Sequence, residues 1–287
     1  MVNVDRAKKV IGGSNTKKRN VIVTSLLSAS VLFTGFGLGG NAQAKEVYPS
    51  MNTERAKQEI EEMKAEGMTS EQINELYEMS KKEYDSVSTE AKAEAIFEES
   101  QKDIDQYIKD GVIDEYLPKY NEEKDKMNVN AKSKTLGTKG DVLVSYDLDS
   151  GSSAIGFGHA AVVSRTKTNT VESWHKSWSP IKQHGVRFYN NTWGNRKKVY
   201  GLWVKKSNNT KYVNAAKYAE KQANQKKPYN LNWFDKKTTK KFYCSQLAWR
   251  AWKNQGHDID HYKNDLVVSP MELVNSNNTK IFYHKKK

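Results

Sequence analysis

All seven tryptophans of this 287-residue chain fall between Trp174 and Trp252. Large aromatics bury the most apolar surface per residue, so the core that can carry a fold is placed in the C-terminal half. The chain as a whole is polar, with a mean hydropathy of −0.85 and 37% hydrophobic residues. Part of its length therefore has little core of its own. Charge divides along the same line. Residues 45–127 carry 12 basic and 23 acidic side chains, net −11, whereas 128–287 carry 29 and 10, net +19. That asymmetry predicts two functional units.

The N-terminus reads as a targeting segment. Lys17, Lys18 and Arg19 precede an apolar stretch from Val21 to about Gly40, and Ala42-Gln43-Ala44 follows. Basic region, apolar region and A-x-A site together predict a signal peptide over 1–44 that is removed on export. The alternative is an uncleaved anchor, since the apolar run approaches bilayer-spanning length. Ser25, Ser28, Ser30 and Thr34 dilute it, which favours cleavage. No other segment reads as membrane-spanning. The expected location is secreted or cell-wall associated.

Residues 45–128 read as an acidic helical region. Thr69-Ser70-Glu71-Gln72 fits a capping box and Gly67 suits the stop of the preceding helix. A helix is expected over Thr89–Asp110, with Ile96, Phe97, Ile104, Tyr107 and Ile108 as its apolar stripe. The acidic runs are either a solvated helix face or a surface laid against the basic half. Asn128–Gly140 reads as a linker opening the second unit, 129–287. Strand signals follow at Asp141–Tyr146, His159–Ser164, Asn169–Trp174, Val186–Tyr189 and Val199–Val204. Helices are expected over Tyr212–Gln225 and from near Tyr243 through Ala251. Strands bracketed by helices without regular alternation predict an α+β domain.

Cys244 is the single cysteine. That excludes an internal disulfide and a cysteine metal cage. It lies at or near the start of a predicted helix, where unpaired N–H groups and the dipole favour thiolate. A nucleophile belongs there; the alternative is a small apolar side chain packed in the core. Among six histidines, His159 is the best base, because it opens a strand of small and β-branched residues. His175, His184, His257 and His261 read as solvated loop residues, and His284 as part of a frayed tail. His257-Asp258-x-Asp260-His261 lacks the helical spacing of a zinc site. Glu172 lies on the strand after His159 and is placed to accept its second N–H, although an exposed strand glutamate would fit the same pattern.

Five segments together carry a resemblance: Gly140–Val144 (GDVLV), Gly158–Val163 (GHAAVV), Val171–Trp174 (VESW), Lys227–Asn230 (KPYN) and Phe242–Trp249 (FYCSQLAW). The chain resembles the circularly permuted branch of the NlpC-type papain-like hydrolases, the YiiX/YebB-like group, from about Gly140 to Lys287. The histidine precedes the cysteine, which is the permuted order. The resemblance implies a papain-like domain in which a cysteine helix packs on an antiparallel sheet. By position it implies Cys244 as nucleophile, His159 as base and Glu172 as the residue that orients it. Tyr243 would aid oxyanion binding or simply belong to the core.

The expected function is a secreted cysteine hydrolase cleaving amide or peptide bonds, in peptidoglycan or another amide-containing envelope substrate, with no cofactor and no metal. Anionic wall polymers are expected partners of the basic half; no nucleic-acid motif is present. Two rivals stay open. One is a non-catalytic wall- or surface-binding protein on the same scaffold; the other is a lipid amidase or acyltransferase.

Overall fold

Three threonines set the starts of the N-terminal helices. Thr53 accepts from the Ala56 N–H at the head of α1 (Glu54–Ala65). Thr69 does the same for Gln72 ahead of α2 (Ser70–Val87), closing the expected capping box. Thr89 serves Lys92 ahead of α3 (Glu90–Gln101). Each hydroxyl satisfies an N–H that helix geometry leaves unpaired. The helix expected over 89–110 is divided at a turn at Lys102, with α4 (Ile104–Lys109) beyond it. The computed structural model describes residues 48–102, 104–111, 135–148 and 153–285. The expected signal segment and most of the expected linker lie outside them. Among the described residues, no helix is long and apolar enough to cross a membrane.

The basic half is α+β. Six strands form one antiparallel sheet: β1 (Val142–Ser145), β2 (His159–Val163), β3 (Asn169–Trp174), β4 (Gly185–Asn190), β5 (Val199–Val204) and β6 (Thr279–Lys285). Their spatial order is β4-β3-β2-β1-β5-β6. Three helices follow the strands in chain order or interrupt them: α5 (Asn209–Asn224), α6 (Cys244–Lys253) and α7 (Pro270–Asn275). Helix α6 packs on β2 and β3, and α5 packs on α6 and β4.

Alternate residues of each strand face opposite sides, and the core divides accordingly. Ala161 and Val163 join Leu136, Leu143, Trp193 and Val199 on one face. Ala160 and Val162 face the larger cluster, which includes Trp233, Tyr243, Cys244 and Trp252. That larger cluster also takes in Met63, Ile73 and Leu76 of the acidic helices. The helical region is therefore not set apart. The described residues of Glu46–Lys287 form one compact unit, and Tyr200 of β5 donates its hydroxyl to the Ala93 carbonyl of α3 at 2.9 Å.

Two elements were absent from the sequence expectations. The tail around His284, expected to be frayed, belongs to strand β6, which pairs with β5 from Val199↔Lys285 to Val204↔Thr279. Its His284 is held between the Tyr146 hydroxyl at 3.0 Å and Glu94 at 3.2 Å. Helix α7 begins at a full capping box, Ser269 with Glu272, and carries Pro270 at its first position, where proline's missing N–H costs nothing.

Candidate active site

His159 opens β2 after three consecutive residues with left-handed backbone. Gly156, Phe157 and Gly158 have φ of +110°, +80° and +63°. A Cβ on Gly158 would lie 2.1 Å from the Ser145 carbonyl oxygen, so both conformation and space demand glycine there. Phe157 has no such freedom, and its conformation costs about 1–3 kcal/mol. Its ring packs 4.9 Å from Trp233, which stacks in turn on Tyr243 at 4.7 Å. The strain is held by apolar packing one residue from the glycine that precedes the histidine.

Cys244 is the first residue of α6. The start of that helix is fixed by Gln246, whose Oε1 accepts from the Tyr243 N–H and from Asn230 at 3.1 Å each. Its amide nitrogen donates to the carbonyls of Asp235, Lys236 and Thr238. Ser173 of β3 donates to the Phe242 carbonyl at 2.5 Å, tying the sheet to the residue two places before the cysteine.

The β2–β3 register, Val162↔Val171 and Val163↔Thr170, puts Glu172 on the same face as His159, diagonal to it rather than directly opposite. There Glu172 Oε2 meets His159 Nε2 at 2.8 Å. Among the described residues the other ring nitrogen, Nδ1, is buried without a hydrogen-bond partner, and the Cys244 side chain is a neighbour that favours the ring's charged form. One imidazole thus has the carboxylate on Nε2 and the thiol as a neighbour.

Glu172 is heavily supported. Thr170 Oγ1 and Trp193 Nε1 donate to its Oε1 at 2.5 and 2.9 Å, and Trp174 Nε1 donates to Oε2 at 2.9 Å. Arg196 stands 3.5 Å from Oε2 with its guanidinium 4.2 Å above the Trp193 ring. Burial alone would push this carboxyl up; the His159 hydrogen bond and the Arg196 charge reverse that and bring it down to about 2. Burial likewise opposes charge on His159, but the neighbouring Cys244 and the bond to Glu172 hold it above the ordinary histidine value. The ring also lies close to two indoles, 3.8 Å from Trp174 and 5.9 Å from Trp193 by centroid.

Thr170, Trp174, Trp193 and Arg196 were not anticipated. The first two had a signal, since T-x-E-x-W in a strand aligns all three side chains on one face. The last two, on a 3₁₀ turn (Trp193–Asn195) and just after it, had none. Tyr243 is wholly buried, and its hydroxyl accepts from the Val268 N–H at 3.1 Å. Three of the four loop histidines expected in solvent are engaged instead: His175 with Glu62 at 3.0 Å, His184 with the Tyr229 N–H at 3.2 Å, His257 with Lys211 at 2.9 Å; His261 is exposed.

Among the described residues, no group of three or more histidine, cysteine, aspartate or glutamate side chains could hold a metal ion. Asp258 of the histidine-rich loop pairs with Lys253, and Asp260 with Lys236. Cys244 and His159 have no exposed surface, and Glu172 is 1% exposed.

No known family profile matches this chain, and no curated protein matches it. A solved structure, the metalloprotein YiiX from Escherichia coli O157:H7, is 13% identical over 52% of this chain and 98% of its own, with a TM-score of 0.36. A likeness that slight carries no argument about chemistry.

Proposed function

We propose that this chain is an exported cysteine hydrolase on a permuted papain-like scaffold, cleaving amide or peptide bonds of peptidoglycan or related envelope material. The observation that carries the reading is the imidazole of His159 held by a five-partnered Glu172, with Cys244 as its neighbour. A histidine held above its ordinary value beside a thiol favours an imidazolium–thiolate pair. The thiolate attacks the carbonyl carbon, and the carbonyl electrons move onto oxygen, which meets the N–H groups at the head of α6. Collapse expels the amine, which takes the proton from His159 and leaves a thioester on Cys244. His159 then removes a proton from water, whose attack releases the acid and restores the thiolate.

Glu172 orients the ring and stabilises its charge, as the third member of a triad does. Tyr243, expected to aid oxyanion binding, has its hydroxyl turned to Val268, so the reading leaves that task to the Cys244 N–H. The +19 charge of residues 128–287 supports attraction to anionic wall polymers. The test is digestion of purified cell wall by wild type and by Cys244→Ala, with products read by mass spectrometry. New amide-cleavage products from wild type alone support the proposal; equal products from both refute it.

The complete burial of Cys244 and His159 favours a second reading, a non-catalytic binding protein that keeps the scaffold. A thiol that stays inert to iodoacetamide even when made accessible would select it.

A further inference from the structure

A hydrolase built on Cys244 and His159 needs a way in, because neither side chain has exposed surface. The acidic helices are fastened to the chain segments that frame this pair. Ahead of His159, the Tyr48 hydroxyl donates to the Ile155 carbonyl at 2.8 Å. Glu59 of α1 accepts there from the Ser153 hydroxyl at 2.7 Å and the Ala154 N–H at 2.5 Å. Beyond Trp174, Glu62 pairs with His175 at 3.0 Å, and the Arg55 guanidinium lies 3.0 Å above Trp178. Just before Cys244, Lys241 is ion-paired with Glu66. Beside Val268, Ser269 donates to Glu83 of α2 at 2.6 Å.

Contact is close as well as polar. A Cβ on Gly156 would lie 2.0 Å from the Tyr48 hydroxyl and 2.7 Å from Ser80 of α2. The polar anchors are side-chain contacts, individually weak, and Met63, Ile73 and Leu76 add apolar packing to the core beneath. The sheet beneath is tied by continuous backbone ladders. Elements held in the first way open more readily than those held in the second.

We propose that the chain from Tyr48 through α1 and α2 is a removable cover over the active site. Held down, it shuts Cys244 away from solvent; displaced, it frees the surface around Ser153–Gly158, His175 and Trp178 for a substrate chain. What enters rests on the hydrolase reading, but access to the thiol does not.

Cys244 is the chain's only cysteine, so iodoacetamide reports on it alone. The full chain, its Glu59→Ala variant and its Tyr48→Ala variant are labelled at pH 7, with hydrogen exchange measured in parallel on all three. The cover predicts slow labelling of wild type and labelling at least roughly tenfold faster in the variants, the scale of one lost buried contact. It also predicts that, in wild type itself, α1 and α2 exchange before α6 and β1–β3. Labelling of wild type as fast as a free thiol, or variants no faster than wild type, would overturn it. So would exchange of the helices and the sheet in one step. Fast labelling of a variant that cleaves no wall material would keep the cover and remove the hydrolase.

Discussion

Trp193 donates its indole N–H to Glu172 Oε1 at 2.9 Å, across a separation of 21 residues, while its ring lies 5.9 Å from that of His159. One side chain thus supports the carboxylate and walls the imidazole. Trp193→Phe keeps an aromatic ring there but leaves Oε1 with Thr170 as its remaining donor. A buried acceptor short of a partner costs about 1–3 kcal/mol, to be read from urea unfolding. A variant as stable as wild type would show that the indole N–H contributes nothing.

Glu172→Gln removes the charge and keeps the shape. Cleavage should fall by roughly 10²- to 10⁴-fold, as when a triad loses the carboxylate that sets its histidine tautomer. The pH dependence has a definite sign. With its native carboxyl at about 2, Glu172 stabilises the fold above the ordinary carboxylate value and loses that contribution as pH falls from about 4.5 toward 2. Thermal unfolding between pH 5 and pH 2.5 should therefore drop less in Glu172→Gln than in wild type.

The cover carries the opposite sign. Burial, only partly offset by hydrogen bonds from Ser153 and Ala154, raises Glu59 to about 7, and burial raises Glu83 to about 7 as well. A carboxyl raised on folding is favourable when protonated, so its contribution fades as pH rises from about 4.5 through 7. For Glu59 the loss is on the order of 3 kcal/mol. The raised His159 also loses its contribution on the alkaline side, so Glu59→Gln serves as the control. The melting temperature of wild type should fall between pH 5.5 and pH 8.5, and fall less in Glu59→Gln. Parallel curves would contradict this.

Lys236, 2% exposed, pairs with buried Asp260 and half-buried Asp265 at 2.6 Å each. Lys236→Met strands Asp260, and removing one partner of a buried pair costs about 3–5 kcal/mol. Adding Asp260→Asn should restore part of that loss in the same unfolding assay. A single variant as stable as wild type would show that the pair is dispensable.

Local signals in the sequence reached much of this site. Cys244 opens a helix and His159 opens a strand, because capping chemistry and β-branched runs act over a few residues. Glu172 followed from a short hairpin connection. Trp193 and Arg196 come from a turn whose position depends on the whole sheet, and no spacing announces them. Strand β6 was missed because its basic end masked the Ile281–Tyr283 pattern, and it gains order only by pairing with β5. Burial of the thiol was invisible too. It depends on where α1 and α2 land, and that is set by scattered single contacts such as Glu59 with Ala154 rather than by any motif.

The most direct test is to quench wall digestion by the Glu59→Ala chain during turnover and map its peptides by mass spectrometry. The account predicts an acyl adduct on the peptide containing Cys244, with cleavage and adduct both absent when Cys244→Ala is added. Cleavage that persists in the double variant, or an adduct on any other residue, would contradict it.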